Sequence, residues 1–557
     1  MKDYDICIIG SGAGGGPVAL ELSRAGYSVA VLEKGAWFTE KDFFKDEQAC
    51  CRHSVYTPTL KDEQHVIEEE MRDGSWQGEP TSQSGWNFWN GNMVGGSSNL
   101  MSGFFYLLKP EDFRLLSEFG PIKDANIADW PINYDDLEPY YTKAETEVGI
   151  SGRVVKHPFQ EPRSTKDFPF PPTAEHIIAS HIDRACEQLN IHTVPTPRAI
   201  LSTPHNNRKS CEYSGYCGSY GCSSGAKGSS RAALLNRAVQ TGKCNIIPHA
   251  KVFRLNTNTK GKITSADYYD ASNTSQSLHA KIFVVACQAV ETSRLLLAST
   301  SAKHPDGLGN NHQQLGKNLL FSGGGSGYGD FNYEQFDAAT ASAMKAIGPF
   351  VNRGVQDWYV IDDKKLGRVK GGTIDFLLRH PNPIVKATSI KRDENDKLVW
   401  GKPLQQKLKS LFMDQQSLRF EVFNDWLPTD NCFVALDKTV KDRWGSAVGK
   451  IRIGYHPHDL IIGRYLSDHA ERVLKQMGAT NIRSNVSGSP PQNLMAGGCR
   501  FGNNIKTSVL NADCRVHEID NLYVTDGSFM PTGGSVPYTW TIYANSFRVA
   551  DIIKSAI

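Results

Sequence analysis

The sequence runs to 557 residues, 39% hydrophobic and 22% charged, with a formal net charge of +2. That length exceeds one ordinary domain and suits two domains folded around a shared cleft. The near-neutral balance argues against a nucleic-acid partner or a membrane-surface field, and no apolar run approaches the ~18 residues that would cross a bilayer.

The first apolar run begins within four residues of the start, so we expect no signal peptide. The expected compartment is the cytoplasm, or the periplasm if a signal-bearing partner subunit carries the folded chain across. Residues 5–9 (DICII) read as a buried parallel strand, and 10–16 (GSGAGGG) follow at once. Gly10, Gly12 and Gly15 fit the G-x-G-x-x-G spacing. Residues 17–25 read as a helix and 28–32 as a second strand, ending in Glu33. In such a unit the first glycine allows the tight turn, the second lets backbone approach a pyrophosphate, and the third lets helix and strand pack closely. The helix N-terminus offers unpaired N–H groups to phosphates, and the acidic residue can hydrogen-bond a ribose hydroxyl. The alternative, a plain glycine-rich turn, lacks the surrounding strand–turn–helix–strand–acid order, so we expect a dinucleotide site.

Residues 40–85 are polar, with the charge run Glu68–Glu70, and read as solvated loop with short helix. Residues 86–99 (WNFWNGNMVGGSSN) hold a second glycine loop at Gly95-Gly96-Ser97-Ser98 where backbone could approach a bulky ligand. Residues 109–148 look helical, 157–176 are rich in proline and phenylalanine and read as an extended crossing, and 179–189 and 225–239 look helical. Strand-like runs at 245–248 and 281–286 follow, the second entering a helix through small residues, a further parallel-sheet unit. Between 320 and 485 the pieces 372–378, 418–427, 433–436 and 450–455 suit antiparallel strands of a second domain, followed by a helix at 460–477. Residues 521–527 (NLYVTDG) form a strand ending in Asp526-Gly527, and 541–553 a final helix, so the nucleotide domain is built from both ends of the chain.

Of the twelve cysteines, Cys7, Cys186, Cys244, Cys287 and Cys432 sit in apolar runs and read as small core residues. Cys50 and Cys51 lie in a polar stretch with no assigned role, and no disulfide framework is expected. Cys211, Cys217 and Cys222 stand apart in one loop, open to a zinc site needing a fourth ligand or to unliganded thiols.

Taken in order, Gly10-x-Gly12-x-x-Gly15 with Glu33, Gly95–Ser98, the strand–helix at 284–297, Cys499-Arg500-Phe501-Gly502, and 511–516 with 521–528 make the chain resemble the glucose-methanol-choline (GMC) flavoprotein oxidoreductases. It looks most similar to the bacterial sugar and polyol dehydrogenase catalytic subunits. The resemblance implies an α/β fold: a Rossmann-like FAD-binding domain (1–120, 200–310 and 486–557) plus an α+β substrate domain with an antiparallel sheet (121–199 and 311–485). It implies non-covalent FAD, because residues 99–101 (NLM) lack the histidine that some relatives attach to the flavin. Gly10, Gly12, Ala13, Gly14, Gly15, Glu33, Lys34, Gly95, Gly96, Ser97, Asn99, Val252, Ala286, Asp526, Gly527 and Thr539 would then hold it, with Glu33 on the adenosine ribose, Val252 at the adenine and Asp526 near the pyrophosphate and ribityl chain.

Similar cysteine loops hold a three-iron, four-sulfur cluster, with Ser214 here where some relatives have a fourth cysteine. Cys211, Cys217 and Cys222 would be its ligands, and a small subunit and a cytochrome c acceptor the partners. The family oxidises alcohols with a histidine base and a second His or Asn, which fall here at Leu494 and at Pro537 or Val536. Neither leucine nor proline can accept a proton. The candidates to act instead are Asn493, Tyr538, His456 and His458, with Trp540, Tyr538 and Phe105 as cavity walls. The expected activity is oxidation of a carbohydrate, glycoside or similar alcohol by hydride transfer to flavin N5. The alternatives are a flavoenzyme for an activated non-alcohol substrate, and a flavin-bound scaffold subunit.

Overall fold

The computed structural model describes residues 3–47, 56, 59–71, 73–88, 90–378, 382–393 and 395–557; Cys50, Cys51 and Trp89 lie outside them. Strand β1 (Tyr4–Ile9) leads through the glycine turn into helix α1 (Gly15–Arg24) and strand β2 (Val29–Leu32). Ile6, Cys7 and Ile8 are fully buried, as an apolar run without alternation requires of a strand covered on both faces. Strand β3 (Cys244–Ile247) pairs with β2, and the end of the long strand β4 (Ser275–Val285) pairs with β1. The strand Leu522–Val524 adds to the far side of β4. All these pairings are parallel, in the order β3-β2-β1-β4 and then Leu522–Val524, so a strand from the end of the chain completes a sheet begun at its start. Helix α2 (Ala289–Ala298) follows β4.

A second sheet is antiparallel. Its centre is strand β5 (Gly372–Leu378) beside strand β6 (Gln415–Asp425), extended by Gly325–Asn332 and Thr480–Val486 on one side and by Arg353–Val355 and Val194–Pro195 on the other. Helix α3 (Pro457–Gln476) covers one face, where Ile462, Leu466 and Val473 join a core with Leu418, Phe420 and Val422 of β6. The alternate residues of β6, Arg419, Glu421 and Phe423, point to the opposite side. Helix α4 (Thr539–Ala556) closes the chain, with Trp540 and Tyr543 fully buried.

Three expectations need correction. Residues 40–85 are not merely loop: Val66–Glu70 and Trp76–Pro80 form strands in a four-stranded sheet with Phe433–Lys441 and Ala447–Ile453. The acidic run is accommodated because Glu68 meets Lys450 at 2.5 Å and Arg452 at 2.8 Å on the neighbouring strand. Residues 433–453 therefore pair with this hairpin and not with the sheet around β6. The helical reading of 109–148 divides into Leu115–Phe119 and Tyr134–Ala144, interrupted where Gly120 turns to φ +75° and Pro121 follows. The helix read at 225–239 starts only at Ser230, after Gly225 adopts φ +75°. No helix among the described residues is long and apolar enough to cross a membrane.

Candidate functional site

A cavity of about 340 Å³ runs between the C-terminal ends of the parallel strands and the free face of β6. At one end lie Gly10, Gly12, Ala13, Gly14, Glu33 and Asp526. Gly10 has φ +96°, and a Cβ there would meet the Ala286 carbonyl oxygen at 2.3 Å, so only glycine permits this turn. A Cβ on Gly14 would lie 2.8 Å from the Asp526 nitrogen. Gly12, by contrast, has nothing within 4 Å of where its Cβ would be, and across the gap Gly96 approaches its Cα. Open backbone at the start of α1, opposite a second glycine loop, is what a pyrophosphate needs.

Around this cradle the polar groups are held tightly. Glu33 is buried; its Oε2 accepts from Ser11 N at 3.1 Å and Ser11 Oγ at 2.5 Å, its Oε1 from Gly35 N at 2.9 Å. Burial pushes its carboxyl up, and these hydrogen bonds oppose the shift. Asp526 Oδ1 accepts from Ser528 N and Oγ, and Oδ2 from Gln288 N and Thr292 Oγ1. Burial raises this carboxyl too, against the same four donors. Lys34, Lys251 and Arg294 line this end, each ion-paired: with Glu63 at 2.6 Å, Asp442 at 2.9 Å and Glu291 at 3.0 Å. The Gln288 side-chain nitrogen is buried without a hydrogen-bond partner. The glycine cradle, the buried acid at the end of β2 and this orphaned donor all fit FAD, with Ala250 and Val252 on the wall beside them.

Thirteen of the expected cofactor residues line the cavity: Gly10, Gly12, Ala13, Gly14, Glu33, Lys34, Gly96, Ser97, Val252, Ala286, Asp526, Gly527 and Thr539. Gly15, Gly95 and Asn99 stand behind the wall. Gly15 packs on the Gly10 carbonyl, Gly95 N donates to Ser11 Oγ at 2.9 Å, and Asn99 Nδ2 donates to the carbonyls of Val94 and Gly96 at 3.0 Å each.

The other end of the cavity is walled by Phe104, Phe105, Phe423, Leu494, Pro537 and Tyr538, with Asn493 at its edge. Leu494 holds a left-handed φ of +56°. The Tyr538 hydroxyl is buried with no partner. Trp540 is not a wall as expected: it is fully buried behind Phe105, their ring centroids 6.1 Å apart, and donates to the Tyr141 carbonyl at 3.2 Å. His456 and His458 are also elsewhere. Pro457 opens α3, which makes His456 its cap: His456 Nδ1 accepts from His458 N at 3.1 Å, and its other ring nitrogen meets the Lys123 carbonyl at 2.9 Å. His458 lines a separate pocket of about 60 Å³.

Cys211, Cys217 and Cys222 pack against one apolar cluster with Ile200 and Leu201. Each sulfur already has a neighbour: Tyr213 N at 3.4 Å, the Ser102 carbonyl at 3.6 Å and Ser224 Oγ at 3.4 Å respectively. Among the described residues no three His, Cys, Asp or Glu side chains are arranged to hold a metal ion. The loop instead rests on Lys227, whose Nζ donates to the carbonyls of Asn99, Cys217 and Tyr220 at 3.0, 2.8 and 2.7 Å. Sequence reasoning missed Lys227, and it missed Glu421 and Phe423 on the cavity face of β6. The signal for Glu421 was present: an acid in the middle of an alternating apolar strand.

Comparison with known proteins agrees with this geometry. Residues 171–321 match the N-terminal and 428–546 the C-terminal family model described as GMC oxidoreductase. The chain is 29% identical to 6'''-hydroxyparomomycin C oxidase of Streptomyces lividus over 99% of its own length and 91% of that protein's. It is also 29% identical to 2-methyl-1,2-propanediol dehydrogenase of Mycolicibacterium austroafricanum, over 99% and 95%. The solved structure of pyridoxine 4-oxidase from Mesorbium loti superposes with a TM-score of 0.63 at 17% identity, covering 99% of each chain, which establishes the shared fold. The chain belongs to the GMC oxidoreductases and is an FAD-binding enzyme of that family.

Proposed function

We propose that the enzyme oxidises a carbohydrate, glycoside or similar alcohol. The observation that carries this is one continuous cavity, which joins the nucleotide cradle at Gly12 and Asp526 to an aromatic chamber at Phe104, Phe105 and Phe423. Aromatic faces suit the C–H faces of a sugar ring. The oxidase and diol dehydrogenase relatives point the same way. FAD, held by the residues named below, would supply a two-electron acceptor for the hydride of the carbinol carbon. The chain's own residues would do the rest. Gly10 to Gly14, Glu33, Lys34, Gly96, Ser97, Val252, Ala286, Asp526, Gly527 and Thr539 would bind the cofactor, with Gly15, Gly95 and Asn99 holding the loops in shape. Phe105 and Tyr538 would orient the substrate and exclude water. The division of labour would follow a nucleotide domain of 1–120, 200–310 and 486–557 and a substrate domain of 121–199 and 311–485.

A second reading, an activated substrate that needs no base, is favoured by Leu494 and Pro537 on the chamber wall and by the absence of histidine among the described lining residues. An anaerobic titration separates the two. Bleaching of the flavin band by sugars or polyols supports the first, and bleaching only by carbonyl-activated compounds supports the second.

The finer expectation, electron flow through an iron–sulfur cluster on Cys211, Cys217 and Cys222 to a cytochrome-type acceptor, has in its favour that the three cysteines pack on one apolar cluster; against it stand their present hydrogen bonds and the lack, among the described residues, of three side chains arranged to hold a metal. Metal analysis of the purified protein decides it: stoichiometric iron supports the cluster and, with it, a small partner subunit; trace iron removes both.

A further inference from the structure

Glu421 sits at the middle of β6, on the face opposite the core residues Phe420 and Val422. It lines the chamber together with Phe423. Its carboxylate makes no hydrogen bond and no ion pair among the described residues. Glu421 is half-buried, open to the chamber but packed into the sheet, and a carboxylate placed there without donors is only partly compensated by water. Burial accordingly pushes its carboxyl above the usual range, with Arg419 on the same strand face pulling weakly the other way.

The surroundings make the need for positive charge sharper. Asp375 of β5 stands directly opposite Glu421 in the strand register, so two acids share one patch of sheet. Asp375 Oδ1 accepts from Tyr106 Oη at 2.7 Å and Thr196 Oγ1 at 2.9 Å, but its Oδ2 is buried without a partner. The cations of the cavity cannot answer. Lys34, Lys251 and Arg294 are paired at the nucleotide end, while Arg198 and Arg419, which favour the charged forms of Asp375 and Glu421, do not line the cavity and hydrogen-bond to neither acid. The remaining chamber wall, Phe104, Phe105, Leu494 and Tyr538, carries no charge, and its rings suit a cation lying over them.

We propose that Glu421 is a substrate-binding residue whose carboxylate receives a protonated amino group on the sugar or alcohol that fills the chamber. This rests on the oxidoreductase reading above and adds the substrate class: amine-bearing alcohols in preference to neutral ones. A neutral polyol would offer Glu421 hydroxyl donors but leave the negative charge uncompensated.

The test uses the flavin-loaded enzyme. D-glucosamine, N-acetyl-D-glucosamine and D-glucose are titrated at pH 7, and binding is followed by the shift of the flavin absorption band. Glucosamine is expected to bind at least tenfold more tightly than the other two. Glu421→Gln keeps the shape of the side chain and removes a charge that lacks partners, so the variant folds and retains flavin; in it the preference disappears. Equal affinity for the three sugars, including no measurable binding of glucosamine, overturns the proposal. So does a preference that survives in Glu421→Gln. A variant that slows turnover of all three alike, with their ranking unchanged, also overturns it. Flavin reduction by the same sugars is read separately, so that failure of alcohol oxidation and failure of the amine anchor are distinguished.

Discussion

Thr525 Oγ1 donates a hydrogen bond to the Gly14 carbonyl at 2.8 Å, across 511 residues of sequence. The next residue, Asp526, lies so near that a side chain on Gly14 would meet its backbone nitrogen. The two ends of the chain thus close on one another at the point where the cofactor's phosphates would lie. The glycine turn is positioned by the strand Leu522–Val524 as much as by its own β1. Cofactor binding and docking of the C-terminal segment are therefore coupled, since whatever binds across both stabilises their contact.

Gly12 and Gly15 separate cofactor binding from folding. A Cβ on Gly15 would lie 2.1 Å from the Gly10 carbonyl oxygen, so Gly15→Ala must push α1 off β1. We expect it to lower the melting temperature markedly and to lose flavin as a consequence. A Cβ on Gly12 meets nothing. Gly12→Ala should leave the melting temperature of flavin-free protein unchanged and weaken flavin affinity about tenfold or more, the equivalent of about 1.4 kcal/mol. The ratio of flavin to protein absorbance, measured beside the melting curve, checks both.

These glycines were legible because a strand, a fixed glycine spacing and an acid fall within thirty-five residues of one another. The return of the chain at Asp526 was legible for the same reason: a short apolar run ends in Asp-Gly. Val66–Glu70 was not, because the groups that neutralise Glu68 are Lys450 and Arg452, nearly four hundred residues away. His456 looked like a candidate base until the helix begun by Pro457 turned it into a cap. Lys227 was invisible because its partners are backbone carbonyls, which every sequence contains. Glu421 was only half legible, because strand alternation shows that a residue leaves the core, but not that a cavity awaits it on the other side.

Asp375 should make stability fall as the pH rises. Burial is the largest influence on its carboxyl and lifts it from the ordinary 3.8 to about 7, against the hydroxyls of Tyr106 and Thr196. Between these values the folded chain holds a proton that the unfolded chain has released, so each rise in pH favours unfolding. Asp375→Asn removes this dependence. Relative to the parent, the variant should gain stability progressively from pH 4 to pH 7, on the order of a few kcal/mol by the upper end. Denaturant melts of the two proteins at several pH values check the sign; a difference that shrinks as pH rises would refute it.

Tyr538 offers a test of the chamber that folding does not confound. Its hydroxyl is buried with no partner, a loss of roughly 1–3 kcal/mol relative to a satisfied group. Tyr538→Phe therefore removes a cost and no hydrogen bond, and the melting temperature should hold or rise. If the hydroxyl serves the substrate or cofactor, the KM for an oxidisable alcohol should increase several-fold in the same variant. Unchanged kinetics together with a raised melting temperature would show that Tyr538 is only a wall.

Lys227 is the strongest prediction outside the cavity. The side chain is buried, and its ammonium holds three carbonyls, two of them within the cysteine loop and the third, Asn99, on the flank of the second glycine loop. Burial pulls its pKa down, while the thiols of Cys217 and Cys222 favour the charged form. Lys227→Met preserves much of the volume but leaves all three oxygens unanswered, at a cost on the order of 3 kcal/mol or more. The loop from Cys211 to Cys222 should then open before the rest of the protein, because Lys227 fastens it at both Cys217 and Tyr220. Limited proteolysis should cut the variant near Tyr213 to Tyr220 under conditions that spare the parent. Flavin occupancy should fall with it, since Asn99 also fixes the carbonyls of Val94 and Gly96 at the cavity edge. A variant that resists protease in this loop and keeps its flavin would mean that the glycine loop is held from the nucleotide side alone, by Ser11 and Ser230.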